Sequence, residues 1–113
     1  MVPMRLTVRN TELSPVISAD LRRRVQRLER YAAPILHGRI TIEVPQHRRR
    51  VDAARYRIRL ALELPGGRVI IDRQPREDLR AAIRQVLSAA RRRLQDYMQR
   101  RRGAVKRHET VAA

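Results

Sequence analysis

Residues 76–102 form a run without glycine or proline, rich in Ala, Leu, Arg and Gln. All four are good helix formers, so the run predicts one long helix. Leu79, Ile83, Val86, Ala90, Leu94 and Tyr97 recur at helical spacing and make a single apolar stripe. Glu77 and Asp78 fall in the predicted first turn and Arg100, Arg101 and Arg102 in the last, matching the helix dipole at both ends. A rod with one apolar stripe must cover an apolar surface supplied by the rest of the chain. Beside the stripe, Arg80, Arg84 and Arg91 share one ridge, Arg102 lies further along it, and Arg92 sits farther round the polar side. A face that serves solubility alone normally mixes both signs of charge, and this one has few acids to balance it.

The excess extends over the whole chain. Its 113 residues, enough for one small domain, hold 27 Lys and Arg against 11 Asp and Glu, a formal net charge of +16. Self-repulsion of that size opposes compaction, and a polyanionic partner relieves it. Every basic residue other than Lys106 and the histidines is Arg, whose planar fork binds phosphate through two donors. Cysteine is absent, which excludes disulfides, thiolate metal sites and a Cys nucleophile. No apolar run reaches spanning length and no secretory leader is visible, so a cytoplasmic location is expected.

Met4, Leu6 and Val8 alternate with Arg5, Thr7 and Arg9, the pattern of a half-buried strand. Ser14-Pro15 reads as the cap and first residue of a helix whose stripe is Ile17, Leu21, Val25, Leu28 and Ala32. Arg23, Arg27 and Arg30 fall opposite that stripe and Arg24 flanks it, with Asp20 and Glu29 offsetting part of the charge. Ile40, Ile42 and Val44 mark a second strand, ended by Pro45. Residues 46–54, with His47 and three consecutive arginines, read as a loop. Tyr56, Ile58, Leu60, Leu62 and Leu64 alternate with Arg55, Arg57, Arg59, Ala61 and Glu63 in the clearest strand. Pro65-Gly66-Gly67 turns the chain back into residues 68–73, where Val69, Ile70 and Ile71 leave the facing of the strand open.

The predicted fold is α+β, in the order β-α-β-β-β-α: a four-stranded mixed sheet with both helices packed on one face. The domain spans residues 1–102, and residues 103–113 read as a short disordered tail. The other sheet face would expose Arg5, Arg9, Arg39, Arg55, Arg57 and Arg59.

Nothing in the chain points to catalysis. No nucleophile elbow, phosphate-binding loop or dinucleotide motif occurs, and no acid/base pair stands out. His37, His47 and His108 are assigned to two loops and the tail, without ligand spacing, so no metal or cofactor is expected. Glu43, Glu63 and Asp72 neighbour arginines and read as charge balance. Phe and Trp are absent and Tyr31, Tyr56 and Tyr97 lie on or near core stripes, so the sheet lacks the stacking platform of single-strand RNA readers. What remains is recognition of a folded nucleic acid through its phosphates.

The β-α-β-β-β-α order, Leu13-Ser14-Pro15, Arg27-Leu28-Glu29-Arg30-Tyr31, Leu64-Pro65-Gly66-Gly67, and Glu77-Asp78-Leu79 followed by Ala82-Ile83 together resemble the bacterial ribosome hibernation-promoting factors, or ribosome-associated inhibitors. The likeness covers roughly residues 4–102. It implies binding to rRNA of the small ribosomal subunit in the channel for messenger and transfer RNA, and inhibition of translation under starvation or in stationary phase. The family's helical basic residues look matched by Arg24, Arg27, Arg30 and Arg92. Positions 80 and 84, often aromatic and polar or acidic in relatives, are both Arg here, and position 89, often basic, is Ala. Long relatives carry a second, dimerising domain, so this chain is expected to be the short form.

The RNA-binding set read from charge and resemblance together is Arg23, Arg24, Arg27, Arg30, Arg80, Arg84, Arg91 and Arg92, with no membrane or small-molecule substrate as partner. Two other classes stay open: a general nucleic-acid binder or RNA chaperone that uses the same arginines without ribosome specificity, and a protein-interaction module such as a transcription-factor modulator.

Overall fold

The structure, a computed structural model, describes residues 2–32, 34–45, 55–73, 75 and 77–112, with side chains described through Arg102. The elements are β1 (Met4–Arg9), α1 (Pro15–Arg27) continued by a 3-10 turn (Leu28–Arg30), β2 (His37–Glu43), β3 (Arg57–Leu64), β4 (Gly67–Asp72) and α2 (Leu79–Ala112). The sheet order is β1-β2-β3-β4. β1 runs parallel to β2, as the intervening helix requires, while β2–β3 and β3–β4 are antiparallel. The α+β architecture read from the sequence is the one observed.

One face of the sheet and both helices share a single core. Ile40, Ile42, Ile58, Leu60, Leu62 and Leu64 bury against Leu21, Val25 and Leu28 of the first helical segment and Ile83, Val86, Ala90 and Leu94 of α2. The period of 2 in the strands and of 3.6 in the helices selects these residues. The apolar face of α2 is wider than the stripe, since Ala82, Leu87 and Ala89 are buried too. In β4 the facing is settled by register: Ala61 pairs with Ile70, so Val69 and Ile71 point inward and Ile70 lies on the outer face. Tyr56 packs partly against the core and is no stacking platform.

Local chemistry sets the ends of the elements. The Ser14 hydroxyl accepts from the Ile17 amide at 3.2 Å and Pro15 occupies the first turn, as expected. Asp78 differs from its predicted place inside a first turn. Its carboxylate accepts from the Arg80 and Ala81 amides, so it caps α2, and the helix begins at Leu79. An acid stabilises a helix start from either position, and the sequence pattern does not separate them. The far end also differs: helical backbone runs to Ala112, past Arg102, where the sequence suggested a tail without structure. Gly103 weakens a helix without stopping it, and no proline follows. His37 is the first residue of β2, not part of a loop. The loop read at residues 46–54 lies outside the described residues.

Two long-range clamps hold the ends of the sheet. Val2 is buried, and its backbone exchanges two hydrogen bonds with the Gln26 side chain, at 2.6 and 2.8 Å. At the β3–β4 turn, Gly66 adopts φ +83°, which suits glycine. The Pro65 carbonyl there accepts from the Tyr97 hydroxyl and, at 2.7 Å, from the Arg101 guanidinium. At Gly67 a Cβ would stand 3.1 Å from the Tyr97 ring, close enough that the ring would have to shift by a few tenths of an ångström.

Candidate nucleic-acid interface

The helices lie side by side over the sheet, and a groove of about 330 Å³ runs between them. Its walls are Val16, Ile17, Asp20, Arg23 and Arg24 from α1 and Arg80, Ile83 and Arg84 from α2. Four of the eight expected arginines therefore converge on one groove. Arg23 and Arg24 come from successive positions on the first helix, and Arg80 and Arg84 stand one turn apart on the second.

Asp20 organises the α1 side. It takes Arg24 at 2.8 Å and Arg23 at 3.7 Å, both within one turn. The pairs are half-exposed, so they add little stability, but they hold the two guanidinium groups toward the groove. Arg80 and Arg84 are exposed and carry no carboxylate partner among the described residues. The groove thus holds four cations to one anion at the mouth of an open cleft. Arg phosphate recognition needs this arrangement: forks fixed in direction but still wet.

Arg91 takes a different place. Its guanidinium stacks over the Tyr31 ring at 5.6 Å, linking α2 to the end of the first helical segment. Arg27, Arg30 and Arg92 are exposed but do not line the groove. The expected set is thereby divided into a convergent four, a stacked Arg91, and three arginines on the surrounding surface. Sequence reasoning missed Asp20 as an organiser, although its spacing to Arg24 was the available signal. It also missed Val16, which is 73% exposed on the groove wall.

The opposite sheet face is a shallow concavity of about 540 Å³ lined entirely by strand residues. There Arg57 makes a two-pronged pair with Asp72, at 3.1 and 2.8 Å, and Arg68 stands 3.6 Å from Glu63. The hydrogen bonds from Arg57 hold the Asp72 carboxyl below its ordinary pKa, and Asp72 raises that of Arg57. The reading of Glu63 and Asp72 as charge balance holds. No group of three His, Cys, Asp or Glu able to hold a metal occurs among the described residues. No described helix is long and apolar enough to cross a membrane.

An α+β sandwich with basic helices over one sheet face, and a bare charged face behind, defines the structural class. The chain belongs to the family described as Sigma 54 modulation protein / S30EA ribosomal protein, whose model matches residues 4–102. Among solved structures it is similar to the Protein Y N-terminal domain of Thermus thermophilus, with 23% identity, a TM-score of 0.69, and 86% of this chain and 99% of that one covered. It is also similar to a ribosomal subunit interface protein from Coxiella burnetii, with 13% identity, a TM-score of 0.68, and coverage of 87% and 99%. At these identities the likeness is one of fold. No curated protein matches the chain significantly.

Proposed function

We propose that the chain is a ribosome-associated translation inhibitor. It binds rRNA of the small subunit in the channel for messenger and transfer RNA, through the arginines of its two helices. The observation that carries this reading is the groove where Arg23, Arg24, Arg80 and Arg84 converge around a single acid. Family membership, and a structural relative described as a ribosomal subunit interface protein, support the ribosome as the source of the polyanion. Arg27, Arg30 and Arg92 extend the contact beyond the groove. Binding through phosphates implies recognition of RNA shape, since the described surface offers no exposed aromatic for stacking on bases. Inhibition follows from occupancy: a protein lodged in the channel excludes messenger and transfer RNA without chemistry, cofactor or metal. Starvation and stationary phase are the conditions in which such inhibition is useful, and cytoplasm is where it acts.

The test is charge reversal of the groove arginines Arg80 and Arg84 together with Arg27, Arg30 and Arg92, assayed by cosedimentation with small subunits. Binding should weaken while the melting temperature holds. Undiminished binding would refute the site. The other half of the family description, modulation of sigma 54, favours a second reading as a protein-binding modulator. That reading requires capture of its partner to survive nuclease, whereas the RNA reading requires capture to be lost.

A further inference from the structure

The outer sheet face carries a second cationic cluster that the helix groove does not use. Strand register lays it out as a grid. Arg5 pairs with Arg39 across β1 and β2, Thr7 with Thr41, and Arg9 with Glu43. Across β2 and β3, Thr41 pairs with Arg59 and Glu43 with Arg57. In the β3–β4 half Arg57 pairs with Asp72 and Arg68 with Glu63, leaving one arginine, Arg59, over. The β1–β2 half sets Arg5, Arg9 and Arg39 against the single acid Glu43. Arg5 and Arg39 are exposed register partners, and neither has a carboxylate in ion-pair range among the described residues. Like charges directly opposite on neighbouring strands oppose pairing, so the fold carries a repulsive pair where a neutral residue would serve the sheet better.

We propose that this concave face is a second RNA-backbone site, and that the chain clamps two RNA segments, one on its helices and one on its sheet. The inference rests on the RNA reading of the helix face. Arg5 and Arg39 stand about 5 Å apart across the strands, and Arg9 lies about 13 Å along β1 from Arg5. This grid presents forked donors on both sides of the Thr7 and Thr41 hydroxyls, as a phosphate strand requires. Only Ala61 and Ile70 among the lining residues are apolar, so the face lacks the anchors of a protein interface. Its lining holds no Phe, Tyr or Trp and a single imidazole, His37, at one edge, too little for a platform on which successive bases stack, so contact is with phosphates.

The experiment immobilises a short RNA duplex, saturates it with the full chain, and measures capture of a second, labelled duplex. The intact protein should capture it. Arg5→Ala/Arg39→Ala should still bind the immobilised RNA but capture almost nothing. For that second site, the slope of log K against log salt should fall by about 2, which is about 60-fold in affinity at 0.1 M salt. Arg5→Lys/Arg39→Lys should keep the charge and most of the slope, which separates electrostatic contact from misfolding. Capture and slope unchanged in the Ala variant would overturn the proposal, as would capture of a protein by this face that survives nuclease. The two readings fail separately. If Arg80→Gln/Arg84→Gln binds RNA normally while the Arg5/Arg39 variant does not, the sheet site stands and the helix groove does not.

Discussion

The clamp at the β3–β4 turn makes a prediction whose size follows from its geometry. Tyr97→Phe removes one donor to the Pro65 carbonyl but leaves the ring against Gly67 and beneath the Arg101 guanidinium, 5.7 Å from its centroid. The carbonyl keeps the Arg101 bond at 2.7 Å. The loss should therefore sit at the lower end for a hydrogen bond, about 0.5–1 kcal/mol. Arg101→Ala removes an exposed bond and the cation–π contact while Tyr97 still donates, for about 0.5 kcal/mol. The double variant deprives the carbonyl of both donors and should cost more than the sum of the singles, by about 0.5 kcal/mol. The total is about 2 kcal/mol, or a fall of roughly 8–16 °C in melting temperature for a domain near this size. Thermal melts of the wild type, both singles and the double complete the cycle. A double variant that melts with the wild type would show that this contact does not hold α2 to the β3–β4 turn, and simple additivity would refute the shared acceptor as the source of coupling.

Other outcomes follow from the same geometry. Arg80→Gln/Arg84→Gln removes two exposed cations without orphaning an acid, so stability should stay within about 0.5 kcal/mol. RNA affinity at 0.1 M salt should drop roughly 25-fold for single strands and 60-fold for duplex, read from salt titrations. Leu94→Ala empties a fully buried site and should cost about 2.7–5 kcal/mol by denaturant unfolding. Asp72 has a depressed pKa in the fold, so its contribution is present above the ordinary carboxylate value of 3.8 and is lost as pH falls through the lower folded value. Wild type should thus melt above Asp72→Asn at neutral pH, and the gap should close in acid.

The strands and helices were legible because periods of 2 and 3.6 separate cleanly in this chain. Ile58, Leu60, Leu62 and Leu64 alternate without a break, and Leu21, Val25 and Leu28 keep helical spacing. Where three apolar residues adjoin, at Val69 to Ile71, periodicity carries no facing, and the pairing of Ala61 with Ile70 decides it. The reciprocal bonds between Val2 and Gln26 join residues far apart in sequence, so no local pattern announces them. The same limit applies to the candidate site. Ridge geometry places arginines on each helix separately, but which of them meet depends on how α1 sits beside α2. That packing gathers Arg23, Arg24, Arg80 and Arg84 and leaves Arg27, Arg30 and Arg92 outside the groove. Arg91 shares a ridge with Arg80 and Arg84 in the sequence pattern, which does not show Tyr31 beneath it.

Sucrose-gradient sedimentation of the purified chain with ribosomes and separated subunits, at low and moderate salt and beside a translation assay, decides whether the chain acts on the ribosome. A ribosome-bound inhibitor comigrates with the small subunit, is released as salt rises, and inhibits translation. A chain that stays at the top of the gradient while binding free RNA and DNA without preference would contradict that reading.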